Sequence, residues 1–397
     1  MSMPQILVLN AGSSSLKFGV YSISSEQDLA LKMSGAVSGL PDEPRFIARG
    51  ADGVVAAESD WPRADGGLAR TLPRLLAWLA KAGGLDAPAA IGHRIVHGGL
   101  TFRAPARLDD GALDRLGELV PLAPLHQPFN LEAVAAARAA FPDAVQVGLF
   151  DTAFHAGQPR LARIYALPRE ITNEGVIAYG FHGLSYDFIA GELRRLYGEG
   201  AGGRVVVAHL GSGVSLCAMD EGRSIATTMG FSALDGPPMS TRSGRVDPGV
   251  LLYLMETKGM SAPDLTDLLY RRSGLLGVSG ESGDVRRLQA SGSPAAREAL
   301  DLFVYRVARE IGGLAAALGG LDRLVFTAGV GENDPQIRGE ILKACKWLGV
   351  DLNTEANARG DMRITAEASR VEALVLPTDE QIVIARGALS VLQAASD

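Results

Sequence analysis

The sequence predicts an α/β protein of two domains, with mixed sheets flanked by helices. Three observations carry this. Val- and Ile-rich runs of six to eight residues alternate with longer helical patterns. The chain, at 397 residues, exceeds what one ordinary core organises. A strand–turn–strand signature near the N-terminus also returns about 200 residues later.

Strands are expected over 5–10, 16–23, 91–97, 145–150, 204–209, 214–219, 323–328 and 371–376. Helical patterns lie between them. LARTLPRLLAWLAKAGG (68–84) repeats apolar residues near 3.6 spacing and ends in glycines, with Pro73 expected in its first turn. NLEAVAAARAAF (130–141) is expected to start on Asn130 as cap, and SYDFIAGELRRLYG (185–198) on Ser185 with Gly198 as stop. The longest, SPAAREALDLFVYRVAREIGGLAAALGG (293–320), carries Pro294 in its first turn, and an apolar helix covers 380–394. A domain boundary is expected just after VQVGLFDTAFH (145–155).

The repeat pairs ILVLNAGSSSLKF with VVVAHLGSGVSLCAM (205–219). Placing Gly12 over Gly211 puts Asn10 over His209. A duplication explains this, and so does any β-hairpin with a glycine turn; the echo alone leaves both open.

Hydrophobic content of 47% with 21% charged residues is that of a folded globular protein. A net charge of −7 gives no overall attraction to nucleic acid or anionic lipid, so no nucleic-acid or membrane partner is expected. Cys217 and Cys345 form no metal-spaced set, the N-terminus has no basic region before its short apolar run, and no segment is long and apolar enough to span a bilayer. A cytoplasmic setting is expected.

The familiar phosphate loops are missing in their working contexts. No lysine is followed by Ser or Thr as in a P-loop, GxSxG and HExxH do not occur, and GxGxxG is spelled only at 198–203, at the glycine stop of a helical pattern rather than between a strand and a helix. Three Gly/Ser turns remain, at 10–15, 211–213 (GSG) and 329–333 (GVGEN), each following an apolar strand. Small residues there let backbone N–H groups approach phosphate oxygens, while serine hydroxyls and Lys17 add donors. Three such turns suggest a nucleotide held from both sides.

All six histidines lie between residues 93 and 209. His93 and His97 flank strand-like RIV, which argues against one shared metal site, and His155 reads as structural. His126, His182 and His209 each adjoin a turn after an apolar run and are the better candidates. Arg94 lies inside a strand among Ile91, Ile95 and Val96, where a guanidinium needs an anionic partner. Arg242 sits in turn-rich PPMSTRSGRVDPG. Asp151 ends an apolar run, a frequent placement for functional carboxylates. Glu380 opens a helix, where it either complements the dipole or holds a cation.

Nine collinear motifs now coincide: NAGSSSLKF, GHRIVHGG, APLHQPFN, FDTAFH, YGFHG, HLGSG, TRSG with DPG, FTAGVGEN and PTDE. Over essentially its whole length the chain resembles the acetokinase family, within the group of sugar kinases, actin and heat-shock chaperone ATPases. The resemblance implies two duplicated ribonuclease-H-like domains, 1–152 plus 386–397 and 153–385, with ATP in the interdomain cleft. It implies reversible phosphoryl transfer from ATP to acetate, giving acetyl phosphate and ADP. Magnesium, or manganese in its place, would serve as cofactor, and the protein would be a homodimer.

By motif, Asn10 and Glu380 resemble the metal-side residues and Lys17 a phosphate contact. Arg94 and Arg242 resemble the carboxylate and phosphoryl clamps, Asp151 the essential acid and His182 the transition-state stabiliser. The nucleotide segments match His209, Leu210, Gly211, Ser212 and Gly213; Asp284, Val285 and Arg286; and Gly329, Val330, Gly331, Glu332 and Asn333. The acyl pocket matches Arg94, Val96, Leu125, Phe181 and Ala233. Because an acid nucleophile is already ionised at pH 7, Asp151 is better cast as positioning an arginine or metal-bound water than as a base. Since Arg94 and Arg242 fall in different halves, the site is expected to complete only on domain closure.

The chain departs from the family pattern at Ser212, Gln127, Arg245, Asp379, Gln381 and Ala233. At Ala233 the family commonly carries proline, and its loss leaves room for another carbon, so propionate or butyrate kinase activity is the first alternative. A chaperone- or actin-like switching ATPase is the second; it predicts slow, acetate-independent hydrolysis and gives no task to two arginines and His182.

Overall fold

The computed structural model describes residues 3–12, 15–25, 28–40, 42–63 and 67–394. The chain divides into unit 1, Met1–Ala153 with Asp379–Asp397, and unit 2, Phe154–Thr378. The return to unit 1 precedes the helix Glu380–Ala394, which therefore lies in unit 1 whole, and residue 386 falls inside it.

The sheet of unit 1 is built from β1 (Gln5–Ala11), β2 (Ser15–Ser25), β3 (Asp28–Ser38), β4 (Arg45–Gly50), β5 (Val55–Asp60), β6 (Ala90–Ile95), β7 (Ala106–Arg107) and β8 (Val145–Phe150). It runs β5-β4-β3-β2-β1-β6-β8-β7. Unit 2 has β9 (Arg204–Leu210), β10 (Val214–Asp220), β11 (Arg223–Thr227), β12 (Arg323–Thr327) and β13 (Glu372–Val375), in the order β11-β10-β9-β12-β13. All eight expected strands are present. The unforeseen β3, β4, β5, β7 and β11 carry more exposed or half-buried positions and are held by antiparallel pairing, so no continuous apolar run announces them.

The duplication is visible in the topology. In unit 1, β3, β2 and β1 pair antiparallel, and β1, β6 and β8 pair parallel. In unit 2, β11, β10 and β9 repeat the antiparallel half, and β9, β12 and β13 the parallel half. The echoed hairpins close on Ala11–Leu16 and Leu210–Val214, so Asn10 pairs with Lys17 where His209 pairs with Ser215.

Alternation along the strands sorts side chains between two faces. Leu7, Leu9 and Ile91 pack with Leu72, Leu75 and Leu79 of the helix Leu68–Lys81 and with Ala133 and Ala137 of the helix Gln127–Ala140. Gly92 turns the other way, toward the helix Glu380–Ala394: a Cβ there would lie 2.6 Å from Ile384. On the same helix, a Cβ at Gly387 would lie 2.5 Å from Leu149. These two missing side chains let the last helix settle on the sheet, and with it Glu380.

Three helix starts differ from expectation. Helix Leu68–Lys81 begins early enough that Pro73 falls in its second turn. Burial of Leu68 and Leu72, about 1.5–3 kcal/mol each, offsets the roughly 3 kcal/mol a helical proline costs. The second starts at Gln127, with Pro128 in its first turn and His126 at the cap position, because Asn130 is spent on tertiary hydrogen bonds. The third, Gly183–Tyr197, is preceded by His182 rather than Ser185, and stops at Gly198 as expected.

Candidate active site

In unit 1 the polar residues gather at the carboxyl ends of three adjacent parallel strands, where open α/β sheets place their ligands. Asn10 ends β1 one residue before its last, Arg94 sits near the end of β6, and Asp151 follows β8 directly. Asn10 and Arg94 follow Val8 and Gly92 by two, and so share the face covered by the last helix. The Arg94 guanidinium donates from Nε to both Asp151 oxygens at 3.1 Å and from Nη2 to Oδ2 at 2.7 Å. Its Nη1 donates to Asn10 Oδ1 at 3.3 Å and stands 3.8 Å from Glu380 Oε2. Asn10 Nδ2 donates to the same Glu380 oxygen at 3.0 Å.

Asp151 is 1% exposed, so the strand arginine has the anionic partner its surroundings demanded. Burial alone would lower the Arg94 pKa, but Asp151 and then Glu380 hold it above its ordinary value. Cross-strand pairing puts the exposed Lys17 on the face of Asn10. Ser13 and Ser14, read as further donors, lie outside the described residues.

The surrounding backbone is tied down by two amides. Asn130 accepts from Val96 N at 2.9 Å and donates to the Ala11 carbonyl at 2.9 Å, lacing the ends of β1 and β6 together. Gln127 bonds both the N–H and the carbonyl of His97. These holdings were invisible in the sequence, where Asn130 reads as a cap and Gln127 as a departure. Val96 is buried and Leu125 half-buried in this unit.

His93, His97 and His155 behave as structural residues, each with its pKa pushed down by burial to about 4. His93 Nε2 meets Gln146 Oε1 at 2.8 Å, and His155 lies between Ser224 and the Phe181 carbonyl.

Unit 2 assembles a second cluster on the sheet face covered by helix Gly183–Tyr197. His182 precedes that helix with φ of +60°, a sparsely populated conformation for a non-glycine residue. Its ring stacks on that of His209, with centroids 4.3 Å apart. His182 Nδ1 lies 2.8 Å from Ser215 Oγ, and Ser215 lies 2.6 Å from the Tyr186 hydroxyl. His209 Nδ1 lies 2.9 Å from Ser185 Oγ. A Cβ at Gly213 would lie 3.0 Å from His182 Nε2 and 3.8 Å from Arg242 Nη1, so this glycine keeps the space before both groups clear. Arg242 Nη1 donates to the Ala233 carbonyl at 3.2 Å, which ties the arginine to the loop that carries Ala233. Phe181 is buried and Ala233 half-buried.

The turn 211–213 is as expected, with Gly211 N donating to the Gly213 carbonyl and Ser212 exposed. Leu210 is buried at the end of β9. The third segment differs: Gly329, Val330, Gly331, Glu332 and Asn333 form a short helix, Ala328–Asn333, rather than a loop. Glu332 directs its carboxylate to Ala328 N at 2.8 Å and Thr378 N at 3.1 Å, joining the chain ends beyond β12 and β13. The buried Arg338 binds the carbonyls of Gly331 and Glu332 from beneath. Asp284 caps the helix Val285–Ser291 through Arg286 N; the Arg286 side chain, bonded to it, leads the causes that hold its carboxyl down at about 2. Val285 is buried.

Sequence reasoning missed Ser185, Tyr186 and Ser215. The spacing of His182, Ser185 and Tyr186 at i, i+3 and i+4 was a readable signal of one helix face.

A model of the acetokinase family matches residues 5–386. An acetate kinase of Rhodopseudomonas palustris (strain TIE-1) is 50% identical over 388 residues, covering 96% of each chain. One from Rhizobium meliloti is 47% identical over 396 residues, covering 99% of each. Among solved structures, a propionate kinase from Francisella tularensis subsp. tularensis SCHU S4 superposes with a TM-score of 0.90 at 32% identity, covering 98% of this chain and 100% of that one. Porphyromonas gingivalis acetate kinase does so at 0.84 and 34% identity, with the same coverage.

Proposed function

The chain belongs to the acetokinase family, and from that premise we propose that it transfers the γ-phosphoryl group of ATP reversibly to acetate, forming acetyl phosphate and ADP by direct in-line displacement. The observation that carries the reading is the two-point hold of Asp151 on Arg94 beside Asn10 and Glu380.

Two anions must approach one another in this reaction, and an acetate oxygen is nucleophilic without losing a proton at pH 7. What lowers the barrier is alignment and compensation of charge. Arg94 pairs with the acetate carboxylate and holds one oxygen in line with phosphorus. Arg242 and His182 donate to the equatorial oxygens of the phosphoryl group as charge spreads over them. Asp151 has both oxygens engaged by Arg94, so it works as a positioning residue for that guanidinium. Lys17, the 209–213 and 329–333 segments and Asp284 to Arg286 bind the nucleotide.

Asn10 and Glu380 offer hard oxygen donors that suit magnesium. Among the described residues no three His, Cys, Asp or Glu gather as a metal cage. Such an ion would therefore take most of its oxygens from water and phosphate, in keeping with magnesium. When bound, it neutralises charge on the departing diphosphate.

Ala233, where relatives commonly carry proline, supports a second reading, in which propionate is a good alternative acceptor. A homodimer in a reducing cytoplasm completes the proposal; both cysteine thiols are buried and pushed up to about 12, which suits chains that keep them reduced. The test is hydroxamate detection of acyl phosphate from purified protein, ATP, magnesium and a panel of short acids. Acetyl hydroxamate is the expected product; acetate-independent ATP hydrolysis with no acyl phosphate overturns the reading.

A further inference from the structure

Five residues of unit 2 form two hydrogen-bonded sets, Tyr186–Ser215–His182 and Ser185–His209, joined by the stacked histidine rings. Helix Gly183–Tyr197 supplies Ser185 and Tyr186 with His182 at its start, and the β9–β10 hairpin supplies His209 and Ser215 as a cross-strand pair. Tyr186, Ser185 and Ser215 are each 0% exposed.

The direction of each hydrogen bond follows from counting protons. The Tyr186 hydroxyl has one side-chain partner among the described residues, Ser215 Oγ at 2.6 Å. Burial raises the Tyr186 pKa well above its ordinary value, so the phenol keeps its hydrogen and must donate it to Ser215. Ser215 then has its own hydrogen to place, and His182 Nδ1 at 2.8 Å is its remaining partner. His182 Nδ1 is therefore an acceptor, and the ring proton resides on Nε2. The reverse relay leaves the Tyr186 hydrogen buried without an acceptor, which is the costlier arrangement.

The second ring follows the same rule. The one side-chain partner of the Ser185 hydroxyl among the described residues is His209 Nδ1, so it donates there and His209 also carries its proton on Nε2. These Nε2 atoms face the glycine turn, 3.0 Å from a Cβ position at Gly213 and 3.5 Å from one at Gly211.

We propose that the Tyr186–Ser215 relay and Ser185 are positioning elements that lock His182 and His209 as neutral Nε2–H donors aimed at the Gly211–Gly213 turn. Neither ring then acts as a proton acceptor at Nε2; both present a fixed hydrogen to phosphate oxygen. The catalytic consequence rests on the acyl-phosphate reading above, whereas the tautomers do not.

The experiment is long-range ¹H–¹⁵N correlation on the full chain with ¹⁵N-labelled histidine at pH 7.5, His182 being assigned by the signal lost in His182→Gln and His209 by that lost in His209→Gln. One proton on Nε2 of each ring is expected. Residence of the proton on Nδ1 of His182, or fast averaging between its nitrogens, overturns the proposal whatever the enzyme's substrate. In kinetics, Ser215→Ala is expected to lower kcat about tenfold with little change in the acetate KM, and to mix the His182 tautomers. Ser215→Thr, which keeps the hydroxyl, should restore both. A Ser215→Ala protein with full kcat and an unchanged His182 spectrum contradicts the relay.

Discussion

The guanidinium of Arg94 turns its Nε–Nη2 edge to the carboxylate of Asp151, with Nη2 at 2.7 Å and Nε at 3.1 Å. Both carboxylate oxygens are committed to that contact, which leaves the acid poorly placed to accept a proton from a substrate. Asp151→Asn should therefore lower turnover, by about tenfold or more, through loss of the charge that orients Arg94. The shape of its pH–rate profile should match that of the parent enzyme. Loss of an acid limb from the profile of the variant would return Asp151 to the role of base.

Gly213 stands before His182 Nε2 and Arg242 Nη1 in a half-exposed turn. In Gly213→Ala the new methyl group meets Nε2 at 3.0 Å, and one partner must shift. Turnover should fall about tenfold or more, because small displacements at a reacting centre are costly. Thermal unfolding should move by only a few degrees, since the turn is outside the core. Equal loss of stability and turnover would mean that the glycine serves the fold.

Ala233 holds Arg242 through its carbonyl, while its N–H makes no hydrogen bond among the described residues. Proline at 233 thus keeps the tie to Arg242 and adds ring volume. The parent protein should use propionate with kcat/KM within about tenfold of acetate. Ala233→Pro should lower the propionate value about tenfold more than the acetate value, in line with one methylene's worth of discrimination. An unchanged ratio in competition assays would detach residue 233 from acyl choice.

His93, His97 and His155 are buried with folded pKa values near 4, against about 6.5 in the unfolded chain. Between those values the unfolded state binds more protons. Their contribution to stability is complete above about pH 6.5 and declines as pH falls toward 4, by up to about 1.4 kcal/mol per unit for each histidine. Urea unfolding from pH 8 to 4.5 should show this slope, and His155→Gln should remove about one proton from it. A flat profile across that range would contradict neutral burial.

Much of the fold was legible because the parallel strands are buried on both faces and so read as apolar runs. Strands β3 to β5 were not, since they rest on pairing with neighbours and their positions are mostly exposed or half-buried. Arg94 announced itself as a cation inside an apolar strand, whereas the role of Asn130 depends on where β1 and β6 end in space. Ser215 looked like any strand serine; its meaning comes from the register that sets it opposite His209 and beneath His182. Helix starts failed where tertiary bonds claimed the side chain that would have capped them, as with Ser185.

The central claim is that fixed guanidinium groups compensate the repulsion between two anions during phosphoryl transfer. It is tested most directly by the rate of acetyl phosphate formation in Arg94→Ala, with Arg242→Ala beside it, in the presence and absence of added guanidinium. Turnover is predicted to fall about 10²-fold or more in each variant and to recover in part when the cation is supplied. Full turnover in either variant without added guanidinium would contradict the account.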